Sequence, residues 1–150
     1  MSERYHQLKD KISSDLFFNN KISDYFFMKS RIFAKTNLQR DELLLFEKLF
    51  DIMLASLPAP DLLVYLHSDI KRLQANIRKR GREYEQNIQD SYLESIQDSY
   101  FDYLKKQNKS AVLIIDITDV DFVNDLNTYS EIKRLISKKY TFGSTEKIIL

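Results

Sequence analysis

Residues 78–85 read Arg-Lys-Arg-Gly-Arg-Glu-Tyr-Glu, with Arg78, Lys79, Arg80 and Arg82 crowded around Gly81. A guanidinium is a planar fork of five donors that suits phosphate oxygens. Glu83 and Glu85 follow at once. A second reading fits the same residues. Cations in a last helical turn complement the helix dipole, and a charge run is usually a solvated face. Arg72, further up the same stretch, reads as a solvated helix residue.

The surrounding elements decide how such a cluster would be presented. Pro60 cannot extend a preceding helix. Leu62-Leu63-Val64-Tyr65-Leu66 is apolar on both faces, as expected of a strand buried in a parallel sheet. Ser68 is expected to cap a helix carrying Ile70, Leu73, Ala75 and Ile77, and Gly81 to end it after Arg80. The arginines therefore follow a buried strand and its helix and sit on a loop.

The succession Pro60-Asp61-Leu62, a strand ending Tyr65-Leu66, a helix, Arg80-Gly81-Arg82-x-x-Glu85 and Tyr92-Leu93-Glu94 resembles the deoxynucleoside kinase family. That family includes deoxycytidine kinase and the bacterial deoxyguanosine and deoxyadenosine kinases. The resemblance implies that the arginine segment is a lid over ATP phosphates. Arg78, Arg80 and Arg82 would then stabilise the transferring phosphoryl group, and Glu85 would hold the 3′-hydroxyl of the deoxyribose.

Composition bounds the alternatives. The chain has 150 residues, 43% hydrophobic and 30% charged, with a net charge of +1. That fits a soluble globular protein and argues against a broad nucleic-acid or membrane surface. Without cysteine there is no disulfide, thiolate metal site or cysteine nucleophile. No metal site is proposed; His67 reads as structural. The N-terminal residues MSERYHQLKD carry no signal-peptide core, which makes the cytoplasm the default. Gly81 and Gly143 are the only glycines, so no G-x-x-x-x-G-K-[ST] loop exists within these residues. If the resemblance holds, the upstream strand, phosphate-binding loop and helix are absent from this sequence.

Elsewhere the resemblance implies further roles. Residues 2–13 read as a helix on which Arg4 matches an arginine near the substrate base; a surface arginine on a frayed terminus is the alternative. Leu16-Phe17-Phe18 reads as a helix exit. Residues 22–27 read as a strand. There Asp24 matches the acid of an Asp/Glu-Arg-Ser triplet, a proton acceptor or metal-water ligand; it could equally cap the strand. Tyr25 and Phe26 stand where the family has Arg and Ser, and Lys29 would replace the lost charge. A competing register places Asp24 opposite that arginine.

Residues 31–38 and 41–57 read as helices. The second is apolar around most of its girth, which fits a central core helix or a homodimer helix. Residues 89–106 and 126–138 read as helices and 111–115 as a strand. Asp121 and Phe122 match an acidic-Phe loop that contacts adenine, although Phe122 could instead anchor its loop in the core.

The expectation is an α/β protein: a P-loop kinase-like, three-layer parallel sheet with helices on both faces, lacking its first strand and P-loop. Residues 1–138 would form the kinase-like domain and 139–150 a flexible tail. The resemblance implies 5′-phosphorylation of a purine-type deoxynucleoside in nucleotide salvage, with ATP and Mg2+, by a homodimer. The rival reading is a truncated, inactive fragment or a non-enzymatic accessory or dimerisation subunit.

Overall fold

The computed structural model describes residues 2–13 and 20–150. The chain divides into two compact units, Met1–Pro58 and Ala59–Leu150. The expected helix exit at Leu16–Phe18 lies outside the described residues.

The first unit is helical: α1 (Ser2–Ser13), α2 (Met28–Asn37) and α3 (Arg40–Leu54). A capping box opens α3, with the Glu42 carboxylate accepting the Gln39 N–H at 3.0 Å. Among its described residues Phe27, Met28, Ile32, Ala34 and Phe50 are the buried apolar ones. The rings of Phe27 and Phe50 stack at 4.8 Å, and the Arg31 guanidinium lies 5.5 Å from the Phe50 ring centre. Arg31 also bonds Glu47 through Nε at 3.0 Å. The opposite side of α3 is uncovered: Leu44, Leu45, Leu49 and Ile52 are exposed.

The strand expected over 22–27 does not form. Residues 20–26 are irregular, with a bend at Asp24. The Ser23 hydroxyl accepts the Tyr25 N–H at 3.2 Å and donates to the Tyr25 carbonyl at 2.9 Å. That local bonding competes with a ladder, and among the described residues no strand pairs with this segment.

The second unit runs β1 (Leu62–His67), α4 (Ile70–Arg80), a single 3₁₀ turn (Glu83–Glu85), α5 (Asp90–Lys106), β2 (Ala111–Asp116), α6 (Leu126–Ile136) and β3 (Thr145–Ile149). The strands form a parallel sheet in the order β1-β2-β3. β2 is central and almost wholly buried, as its unbroken apolar run demands. On one face Leu113 and Ile115 pack with Ile132 and Leu135 of α6. On the other, Tyr65 stacks on Tyr100 of α5 at 5.3 Å and meets Phe101 edge-on at 5.5 Å.

Two expectations change here. The helix cap is Asp69, whose carboxylate accepts the Arg72 N–H at 2.6 Å, not Ser68, which is buried. The expected flexible tail contains β3. Gly143 turns the chain at φ +75°, and β3 then pairs residue for residue with Val112–Asp116. Its polar start, Thr145-Glu146-Lys147, disguises an edge strand that places only Ile148 against the core.

The outer edge of β1 follows from the ladder. The N–H groups of Ala111 and Ile117 donate to Asp61 and His67 carbonyls at 2.9 and 2.8 Å. Odd-numbered residues of β1 thus face β2, and the backbone of Leu62, Val64 and Leu66 faces the other way. Among the described residues no strand pairs there. Val64 and Leu66 are also exposed, on the face that α6 covers over β2.

Candidate functional site

The C-terminus of α4 presents the basic cluster. Gly81 closes the helix in the left-handed region, at φ +70°, which a glycine reaches without strain. The Gln86 side chain bonds the carbonyls of Ile77 and Arg82 at 3.3 and 3.2 Å, tying the following turn to the helix end. The 3₁₀ turn then swings Glu85 back beneath the arginines. Its carboxylate receives Arg80 Nη1 at 3.4 Å and Arg82 Nη1 at 3.1 Å. The Glu85 side chain is 14% exposed, against 54% and 52% for the two arginines. One largely covered carboxylate therefore orients two open guanidiniums and leaves an excess positive charge. The bond to Glu85, reinforced by the charges of Tyr84 and Glu85, raises the Arg82 guanidinium further above its ordinary value. Such a fork pair can take phosphate oxygens.

Arg78 does not join them. With Lys71 and Gln74 it lines a groove between α4 and α5, opposite Asp90 and Glu94. Gln74 Nε2 crosses that groove to the Ile88 carbonyl and the Asp90 carboxylate, each at 2.8 Å.

A second group of residues gathers at the C-terminal end of the parallel sheet, where ligands bind in open α/β folds. Asp116 Oδ1 accepts the Thr118 N–H at 3.1 Å and the Thr118 hydroxyl at 2.7 Å. Its Oδ2 lies 3.9 Å from His67 Nε2. The same Thr118 oxygen accepts the Asp69 N–H at 3.1 Å. Burial alone would raise the Asp116 carboxyl, but the two Thr118 bonds, with the charges of His67 and Lys147, hold it below the ordinary range.

Asp121 closes the loop that follows. It accepts Asn124 Nδ2 at 2.7 Å and the Val123 and Asn124 N–H groups at 3.3 Å each. The bond from Asn124 does most to lower its pKa, and the charge of Lys79 on α4 adds to it. Phe122 packs against the Leu113–Ile115–Ile132–Leu135 cluster, which makes it the loop's anchor.

The other candidates lie in the first unit. Asp24 is exposed on the bend, not at a strand end. Lys29, in the first turn of α2, places its ammonium 5.8 Å from the Phe33 ring centre. Arg4 lies in α1, and its side chain is outside the described residues. Among the described residues no cluster of three His, Asp or Glu is placed to hold a metal ion. Nor is any helix among them long and apolar enough to cross a membrane. Sequence reasoning missed Gln86 and Thr118, because a lone amide or hydroxyl in a polar loop carries no periodic signal.

A family model described as deoxynucleoside kinase matches residues 2–141. The chain is 31% identical over 140 residues to a deoxyguanosine kinase of Bacillus subtilis, a match covering 88% of this chain and 66% of that protein. It is 27% identical over 134 residues to a deoxyadenosine kinase of Lactobacillus acidophilus, covering 80% and 62%. A deoxyadenosine/deoxycytidine kinase of Bacillus subtilis is 33% identical over 89 residues, covering 58% and 41%. The chain thus spans two thirds or less of the length of these relatives. A parallel sheet flanked by helices is also consistent with a P-loop kinase-like fold. On the extent of the family match, the chain belongs to the deoxynucleoside kinase family.

Proposed function

We propose that this chain serves ATP-dependent 5′-phosphorylation of a purine deoxynucleoside, supplying the arginine lid and part of the nucleoside pocket. The observation that carries the reading is the Arg80–Glu85–Arg82 cluster on the Gly81 turn. Phosphoryl transfer needs little covalent chemistry from a protein; positioning and charge stabilisation do the work. Arg80 and Arg82 would neutralise phosphoryl oxygens. On closure Glu85 would exchange an arginine for the 3′-hydroxyl. Asp24, Lys29 and Arg4 would serve the reacting end and the base from the first unit, and Asp121 the adenine loop. Magnesium would arrive with the nucleotide. A purine substrate is favoured by relatives named for deoxyguanosine and deoxyadenosine.

A phosphate-binding loop has no counterpart in these 150 residues. Catalysis on this reading needs one from sequence outside them, and the open outer edge of β1 is a fitting place for its strand. The second reading, a non-catalytic dimerisation or accessory subunit, is favoured by that same lack and by exposed Leu44, Leu45, Leu49 and Ile52 on α3. Binding separates the two. Calorimetric titration of the chain with magnesium-ATP and with deoxyguanosine should show both bound on the first reading. Binding of neither, with a stable dimer, would favour the second.

A further inference from the structure

Arg72 does not behave as a solvated helix residue. It is half-buried, and its Nη2 donates to the Val120 carbonyl at 3.3 Å. One residue before α4, the Asp69 N–H donates to Thr118 Oγ1 at 3.1 Å. Thr118 spends its own hydroxyl proton on Asp116, so its lone pairs are free to accept. Two bonds therefore fasten the loop after β2 to the first turn of α4. Asp121, the next residue along that loop, feels the charge of Lys79 two turns further down the helix.

We infer that Arg72 and Thr118 are positioning residues that fix the 117–125 loop on α4, and so set where an adenine base sits relative to the arginines taking its phosphates. The inference rests on the nucleotide reading above. It gives one helix two tasks, with its N-terminal turn holding the base-contacting loop and its C-terminal end holding the phosphates. The span between those ends is a rigid 11-residue helix, so base and phosphate contacts are spaced by the chain before any ligand arrives. Preorganisation of this kind lowers the ordering cost of binding.

The test uses the full chain with Arg72→Ala, Arg72→Lys and Thr118→Val, each first shown to unfold in a single cooperative thermal transition, which Thr118→Val should lower because it also removes the hydroxyl's bond to Asp116. Amide hydrogen exchange is followed across residues 119–125. Affinities are measured for ATP and for inorganic tripolyphosphate, which lacks the base. Arg72→Ala, which removes one hydrogen bond, should speed loop exchange on the order of tenfold, and Thr118→Val, which removes the hydroxyl's bonds to both Asp69 and Asp116, by at least as much. They should weaken ATP by a similar factor and leave tripolyphosphate within about twofold of wild type. Arg72→Lys, which keeps a cationic donor, should recover part of the loss. Unchanged exchange would overturn the inference, as would equal weakening of both ligands or undiminished ATP affinity. A wild-type chain that binds tripolyphosphate but not ATP would refute the nucleotide reading and this inference with it. One that binds neither would refute the functional reading, and the exchange data would still decide whether the loop is anchored as described.

Discussion

Replacing Asp116 should loosen the end of the sheet on which both parts of the candidate site depend. Its carboxylate accepts two hydrogen bonds from Thr118, at 3.1 and 2.7 Å, and faces His67 at 3.9 Å, with only 19% of its side chain exposed. A hydrogen bond to a charged group contributes roughly 1.5–3 kcal/mol, and removing one partner strands the other. The two bonds share one oxygen, so their sum overstates the loss. Asp116→Ala should cost about 2–4 kcal/mol, a large share of a typical stability of roughly 5–15 kcal/mol. Asp116→Asn keeps a neutral acceptor and should cost about half as much. The pH dependence has a definite sign. The folded carboxyl is held below its ordinary value of 3.8. Its contribution is therefore fully present above that value and is lost as pH falls through the depressed folded pKa. Urea titrations at several pH values, read from β2 amide signals in NMR, would measure both effects. Asp116→Ala within about 0.5 kcal/mol of wild type would refute the reasoning. So would an Asn variant that keeps the full acid sensitivity of the wild type.

Other outcomes follow from the same geometry. Arg80→Ala and Arg82→Ala should each weaken tripolyphosphate binding by roughly tenfold or more at low salt, with Lys48→Ala on α3 changing little. Equal effects from all three would mean that the basic run is only a solvated helix end. Phe50→Ala should destabilise the first unit by about 3–5 kcal/mol, because the ring is fully buried; a urea midpoint near wild type would contradict its place at the centre of that core. If a second copy covers α3, Leu45→Glu should shift the chain toward monomer in sedimentation runs, and an unchanged distribution would rule that face out. Val64→Lys should suppress association through the open edge of β1, as edge lysines do; light scattering that rises as fast as in wild type would argue against it.

The second unit was largely legible in the sequence, for a physical reason. β1, β2, α4 and α5 are set by their own patterns: unbroken apolar runs, helical spacing and a glycine stop. The strands and helices they pair with lie within the same 92 residues, Ala59–Leu150. The segment 22–27 fails on the opposite ground. Its β-prone residues specify a strand only if a ladder is present, and Ser23 instead closes on Tyr25. β3 was missed because an edge strand needs a single apolar contact, at Ile148, and looks polar otherwise. The site divides the same way. Arg80, Arg82 and Glu85 are near in sequence and meet in space, whereas Arg78 points to the α4–α5 groove because a helix turns about 100° per residue. The bond from Arg72 to Val120 links residues 48 positions apart, and Phe122 is anchored by β2 before it and α6 after it; no local pattern encodes either contact.

The central claim is that this chain carries the phosphate-lid half of a kinase site and depends on a phosphate-binding loop from elsewhere. It is tested most directly by assaying 5′-phosphorylation of deoxyguanosine and deoxyadenosine with magnesium-ATP, first by these 150 residues alone and then after fusing a strand and a G-x-x-x-x-G-K-[ST] phosphate-binding loop ahead of them. The account predicts no turnover from the chain alone and measurable turnover from the fusion, lost again in Arg80→Ala. Turnover by the unfused chain, free of host kinases, would contradict it, as would a folded fusion whose activity does not depend on Arg80.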